Sequence, residues 1–272
     1  MGTDAQRQLA AEFLALHKPG DPLLMPNPWD AGSAKLLASL GFAALATTSS
    51  GSAFTRGRLD GELTPHDVFD QAAAIVSAVD LPVSADLENC FATAGDVGGV
   101  AETVHRAVTT GLAGFSIEDY GDGAIYSTDQ AAERVAAAVA VAHDAGLVVT
   151  ARAENHIRGR DDLDDTIARL QRYQEAGADV LYAPGLVTAE QISRVIASVD
   201  RPVNVLARPG MPPVPELASL GVARVSVGGA FAFAAVDALA NAARELRDNG
   251  TFGFGESAAA GSAAVRTAFT KD

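Results

Sequence analysis

"GLAGFSIED", residues 111–119, puts a glycine at the end of a helical pattern, follows it with a short link and a small, apolar run, and finishes on Glu118 and Asp119. The same phrase returns as "LGFAALATTS" (40–49), "AGADVLYAP" (176–184) and "LGVARVSVGG" (220–229). Glycine alone takes the left-handed helix cap without steric cost, and an unbroken apolar run suits a strand buried on both faces. "PLLMPN" (22–27), "LPVSAD" (81–86), "LVVTARAE" (147–154) and "RPVNVLA" (201–207) bring the strand candidates to eight. Between them lie helical patterns such as "DDLDDTIARLQRYQEA" (161–176), with Leu163, Ile167, Leu170 and Tyr173 on one face.

Eight such units in about 225 residues predict an α/β chain folded as a (β/α)8 barrel. An open doubly wound sheet is the alternative, weakened because no G-x-G-x-x-G follows the first strand. The barrel is expected to occupy residues 1–250 as one domain, led by the helix "AQRQLAAEFLALH" (5–17). Residues 251–272, rich in Gly, Ala and Ser, are expected to form a tail or short helix that docks on a neighbouring subunit of a homo-oligomer.

Of the 272 residues 48% are hydrophobic and 20% charged, as in a soluble globular chain, and the net charge is −14. Such an acidic chain lacks the basic footprint that nucleic acid or an anionic membrane requires. No apolar run reaches the roughly 18 residues of a membrane span. A single cysteine and the absence of an apolar leader point to the cytoplasm.

In a barrel of this kind chemistry gathers where the strands end. Asp60 follows the second strand, Asp86 and Glu88 close the third, Glu118 and Asp119 the fourth, and Arg152 and Glu154 the fifth. Clustered carboxylates repel one another unless a cation holds them, and an oxygen-seeking ion such as Mg²⁺ or Mn²⁺ suits them. Zinc does not, since His17, His66, His105, His143 and His156 show no H-x-x-x-H spacing. His156, just past the fifth strand, is placed to touch a ligand. Thr48, Ser49 and Ser50 could hold an anion with hydroxyl and backbone donors, and Arg152 could clamp one.

"NPWDAGSAKLLASLGFAALATTSSGSA" (27–53), "GRLDG" (57–61), "SADLENCF" (84–91), "GFSIED" (114–119) and "TARAEN" (150–155) together resemble the isocitrate lyase/phosphoenolpyruvate mutase superfamily over about residues 9–245. The resemblance implies a homotetrameric (β/α)8 barrel that binds Mg²⁺ and makes or breaks a C–C or P–C bond of a 2-oxo acid through an enolpyruvate-like intermediate. It implies metal ligation by Asp86, Glu88, Asp60 and Glu118, partly through water. Substrate binding falls to Trp29, Thr48, Ser49, Ser50 and Arg152, and catalysis to Glu118 and Arg152.

The pattern is broken in three places. Where the lyases carry a loop with a catalytic cysteine, this chain has "EDYGDGAIYSTDQAAERV" (118–135), without Cys, Lys or His. "YAPG" (182–185) and "VLARPG" (205–210) replace the segments that hold a tricarboxylate. Tyr120, Tyr126 and His156 are left as candidate proton donors, and Cys90 is expected to be a bystander. The expected reaction is C–C cleavage of a small 2-oxo or 2-hydroxy acid. Phosphonopyruvate hydrolysis, mutase-type P–C chemistry and a non-catalytic dicarboxylate-binding barrel are the alternatives.

Overall fold

The computed structural model describes residues 2–270. All eight expected runs are parallel strands, β1 (Leu23–Met25), β2 (Leu45–Ala46), β3 (Val83–Asp86), β4 (Gly114–Glu118), β7 (Val148–Arg152), β8 (Val180–Tyr182), β9 (Val203–Leu206) and β10 (Arg224–Ser226). A two-residue hairpin, β5 (Tyr120–Gly121) with β6 (Ala124–Ile125), interrupts the series after β4. The main sheet runs β1-β10-β9-β8-β7-β4-β3-β2. Its ends meet where the Ala46 N–H donates to the Pro26 carbonyl at 3.1 Å and Asn27 Nδ2 donates to the Thr47 carbonyl at 3.0 Å. The (β/α)8 barrel is thus essentially closed.

The repeated phrase behaves as its chemistry requires. Gly41, Gly111, Gly177 and Gly221 take φ of 88°, 84°, 100° and 92°, each turning the chain from a helical segment toward the next strand. The helices are α1 (Asp4–Ala15), α2 (Ala31–Ser39), α3 (Ser49–Thr55), α4 (Pro65–Val76), α5 (Val97–Thr110), α6 (Thr128–Ala145), α7 (Leu163–Glu175), α8 (Ala189–Ile196), α9 (Val214–Ser219), α10 (Ala230–Asn249) and α11 (Gly255–Phe269). Most of the hydrophobic core lies between this helical coat and the outer faces of the strands. A smaller cluster sits inside the barrel, where Phe13 of α1 packs with Leu23, Met25, Val148 and Val180 and seals the bottom.

Strand alternation then sets the layers. Along β7 the inward side chains are Val148 in the sealed bottom, Thr150 above it and Arg152 at the mouth. Barrel interiors are usually filled by bulky branched residues. Here Ser84, Ser116, Asn204 and Ser226 face a cavity instead. Shorter side chains leave open space along the upper barrel axis.

Residues 255–269 are helical, and α11 packs on α2, with Lys35 Nζ 5.7 Å from the centre of the Phe269 ring. In α10 only Ala232 is buried, and Phe231, Phe233, Leu239 and Leu246 are exposed. Among the described residues no helix is long and apolar enough to cross a membrane.

Candidate active site

Pairing of β4 with β7 sets Glu118 directly beside Arg152, and pairing of β3 with β4 sets Asp86 beside Ser116. Adjacent strand ends therefore deliver two acids and a base to one point. Arg152 Nη1 donates to Asp86 Oδ1 at 2.9 Å, while Nη2 reaches Glu118 Oε2 at 3.1 Å and Glu154 Oε1 at 2.8 Å. The planar fork serves three carboxylates at once, which an ammonium could not do. Asp86 is further fixed by its own N–H, which donates to Thr47 Oγ1 at 2.9 Å.

Two connected cavities meet at this hub. The inner one, about 190 Å³, runs down the barrel axis from Thr48, Ser49, Ser50 and Asp60 past Asp86 and Arg152. The outer one, about 720 Å³, opens over Asp60, Glu88, Glu118, Tyr120 and Arg158. Asp60, Asp86, Glu88, Glu118, Arg152, Tyr120 and the 48–50 loop are thus brought together around one mouth. Thr48 caps α3, accepting from the Gly51 N–H at 3.4 Å. A Cβ on Gly51 would stand 3.1 Å from that of Trp29 and 3.2 Å from that of Ala232, so the loop sits close against its neighbours.

Two expected ligand contacts lie elsewhere. His156 belongs to a short 3₁₀ turn (His156–Arg158), not to an extension of β7, so the alternation that would aim it inward ends at Arg152. Its Nδ1 meets Asp161 at 3.1 Å, and it borders neither cavity. Trp29 precedes α2, where its carbonyl accepts from Gln71 Nε2 at 2.6 Å, and it too is outside both walls. Tyr126 is buried, its hydroxyl accepting from Asn89 Nδ2 at 2.9 Å. Of the three candidate proton donors only Tyr120 faces a cavity.

The segment carrying Glu88 is unusual. Glu88, Cys90 and Phe91 have φ of 48°, 58° and 52°, a region that non-glycine residues seldom enter. Arg134 of α6 holds it there by donating to the carbonyls of Asn89, Ala92, Thr93 and Ala94. Strained backbone is often kept at functional sites by such surroundings. Cys90 is buried, and burial pushes its thiol up to about 12, which suits an inert packing role.

Electrostatically the mouth is overloaded with acid. Burial, reinforced by Asp86 and Asp60, raises Glu88 to about 7, and its Oε1 is buried with no hydrogen-bond partner. Burial likewise holds Glu118 well above the ordinary carboxyl range, against the pull of Arg152. Among the described residues no three His, Cys, Asp or Glu side chains gather tightly enough to enclose a metal by themselves. A magnesium-like ion asks for less, since it keeps several waters and takes one or two carboxylates. Asp86, Glu88 and Asp60, with the orphaned Glu88 oxygen among them, fit such an ion.

One participant, Arg158, escaped the sequence, and one expected acid, Asp119, points away from the mouth. Arg158, one turn beyond β7, pairs with Glu154 Oε2 at 3.2 Å and Glu118 Oε1 at 3.5 Å, and its guanidinium lies 3.7 Å from the centre of the Tyr120 ring. Asp119, next to Glu118 but on the opposite face, points into the helical coat. There it accepts from Arg169 Nη1 at 2.9 Å and the Tyr173 hydroxyl at 2.6 Å. Alternation along β4 was the signal that could have separated the two acids.

The comparisons with known proteins agree with this architecture. Residues 13–247 match the phosphoenolpyruvate phosphomutase family, and the chain belongs to that family within the isocitrate lyase/phosphoenolpyruvate mutase superfamily. A crystal structure from Burkholderia cenocepacia is 49% identical, with a TM-score of 0.93 over 99% of both chains. An oxaloacetate decarboxylase of Chromohalobacter salexigens is 28% identical over 91% of this chain and 88% of its own. The structure of oxaloacetate acetylhydrolase with its product oxalate is 25% identical, with a TM-score of 0.81 over 91% of this chain and 89% of the other. The chain is an enzyme of the lyase and mutase class.

Proposed function

We propose that this protein is a Mg²⁺-dependent lyase that cleaves a C–C bond of a small 2-oxo or 2-hydroxy acid through an enolpyruvate-like intermediate. The observation that carries this reading is the inner cavity bounded by Asp86, Arg152 and the Thr48–Ser50 loop, small enough to select a short acid. Relatives that act on oxaloacetate support the same substrate class. Asp86, with Glu88 and Asp60, would hold the cation; when bound, it supplies Lewis-acid withdrawal of charge from the oxo and carboxylate oxygens. The Thr48–Ser50 loop orients the substrate carboxylate, and Arg152 fixes Asp86 and Glu118 while offering positive charge to the oxygens. The Tyr120 hydroxyl, carried on a ring that lies under the Arg158 guanidinium at the outer cavity, delivers the proton that the missing cysteine loop would have supplied. The exposed apolar side chains of α10 support a homo-oligomer in which the C-terminal helices bury against a neighbouring copy.

A product screen with oxaloacetate, phosphonopyruvate, methylisocitrate and longer 2-oxo diacids, with Mg²⁺ or with a chelator, tests the reading. Pyruvate or CO₂ released from a carbon acid only when Mg²⁺ is present is the expected result. Phosphate from phosphonopyruvate instead would favour the P–C reaction for which the family is named. Mg²⁺-dependent oxalate binding without turnover of any substrate would reduce the protein to a dicarboxylate-binding barrel.

A further inference from the structure

Below the mouth the inner cavity reaches a cation that the chemistry above leaves unused. Arg224 opens β10, is 2% exposed, and lines the cavity together with Asn204 and Ser226. Its guanidinium donates to His17 Nε2 at 3.0 Å and to Thr150 Oγ1 at 3.2 Å. His17 cannot balance that charge. Its Nδ1 sits 2.9 Å from the Phe13 carbonyl, which only accepts, so the proton is on Nδ1 and Nε2 is a bare acceptor. Among the described residues no carboxylate lies within ion-pair distance of Arg224, and burial lowers its pKa only to about 10, leaving it charged at neutral pH.

An isolated buried charge is among the costliest features a core can carry. Two further orphans sit beside it, since Arg224 Nε and Asn204 Oδ1 are both buried without partners. One water bridging them would satisfy both hydrogen bonds, yet the charge would stand. An anion answers the charge as well. A half-turn of the Asn204 amide would let its oxygen accept from the Ser226 hydroxyl, now 3.0 Å from Nδ2, and put Nδ2 in the place of the orphaned oxygen, a second donor beside Arg224.

We propose that Arg224, Asn204 and Ser226 form an anion subsite inside the barrel, separate from the mouth, that takes a carboxylate-sized monoanion. The two levels are distinct because Thr150, which Arg224 contacts, precedes Arg152 by two residues on β7, about 7 Å along the strand. The ligand is either a free monoanion or the deep carboxylate of a bound acid, two sources of one chemistry.

Thermal unfolding of the metal-free full chain between 1 and 100 mM formate tests this without reading turnover, so its failure is distinguishable from failure of the proposed reaction. Wild type should gain about 5 °C more than Arg224→Met across that range. The variant carries the same general salt effect, and it should be at least as stable in formate-free buffer because methionine removes an uncompensated charge. Ser50→Ala, altered only at the mouth, should keep the full response. Malonate separates the sources: a diacid spanning both levels gives a larger shift that either variant reduces, whereas a free monoanion gives one that only Arg224→Met removes. If Arg224→Met fails to fold, bromide-soaked crystals of the wild type should show an anomalous peak within hydrogen-bonding reach of Arg224 Nε. Equal formate responses in wild type and Arg224→Met, a response lost only in Ser50→Ala, or an empty bromide map overturns the subsite.

Discussion

Lowering the pH should unlock the barrel bottom through His17. The imidazole is buried at 5% exposure between α1 and β10, donates from Nδ1 to the Phe13 carbonyl and accepts at Nε2 from Arg224. Protonating Nε2 would set an N–H against the guanidinium N–H in a buried site. Burial first, and Arg224 second, depress the pKa from 6.5 to about 3. The unfolded chain therefore binds a proton that the folded chain refuses at any pH between those values. Stability contributed by the neutral ring is complete above pH 6.5 and drains as the pH falls toward the folded pKa. The slope is up to about 1.4 kcal/mol per pH unit, so the step from pH 6.5 to 5 costs roughly 2 kcal/mol. Urea unfolding at pH 7, 6 and 5 reads this directly when wild type is compared with His17→Gln, which keeps an amide donor and an acceptor but does not titrate. Carboxylates titrate in both proteins, so the difference belongs to the histidine. Parallel stability curves for the two proteins, or an imidazole resonance titrating near 6.5 in the folded state, would refute the tautomer assignment.

Arg169→Met should lower unfolding stability by about 3–5 kcal/mol in urea titrations, because it takes the cationic partner from buried Asp119 and a donor from the Tyr126 carbonyl; KM of the folded fraction should be unchanged, and a shifted KM would place Asp119 in the site. Arg152→Lys should cut kcat/KM by at least about 100-fold, since one ammonium cannot replace a fork shared by three acids; a loss under tenfold would show that the fork is dispensable. Cys90→Ala should retain kcat, and native Cys90 should react with a thiol reagent at pH 8 only as the chain unfolds, its thiol being buried with a pKa near 12; rapid labelling of the folded protein would contradict its placement.

The barrel was legible because its signal is local. A glycine cap and an apolar run are set by neighbours in sequence, and each of the eight runs contains a strand. Asp86, Glu118 and Arg152 were legible for the same reason, as residues that close strands. What escaped depends on where the strand stops and what crosses the barrel. His156 was expected at the site because it lies just past the fifth strand, whereas a 3₁₀ turn begins at His156 and carries Arg158 to the outer cavity instead. Attention to strand ends also passed over Arg224, which stands at the start of β10 and meets the cavity from below. Arg134 gave no sequence signal, because its partners are four carbonyls of a loop about 40 residues earlier.

Charge is arranged along the barrel axis with opposite sign at its two levels. Around the mouth, Asp60, Asp86, Glu88, Glu118 and Glu154 outnumber Arg152 and Arg158, and both guanidiniums are already committed to those acids. At the floor, Arg224 stands without a carboxylate among the described residues. If the proposed Mg²⁺ reading holds, an anionic substrate approaching this rim would be repelled until a cation settled among the carboxylates, and only then would the attraction from below act on it unopposed. That order would make cation binding a condition for substrate entry as well as for chemistry. Chelation should accordingly weaken oxalate binding and abolish turnover together, while the formate response at Arg224, which needs only a small ion to slip past the rim, should survive chelation and be damped at low ionic strength, where the rim is least screened.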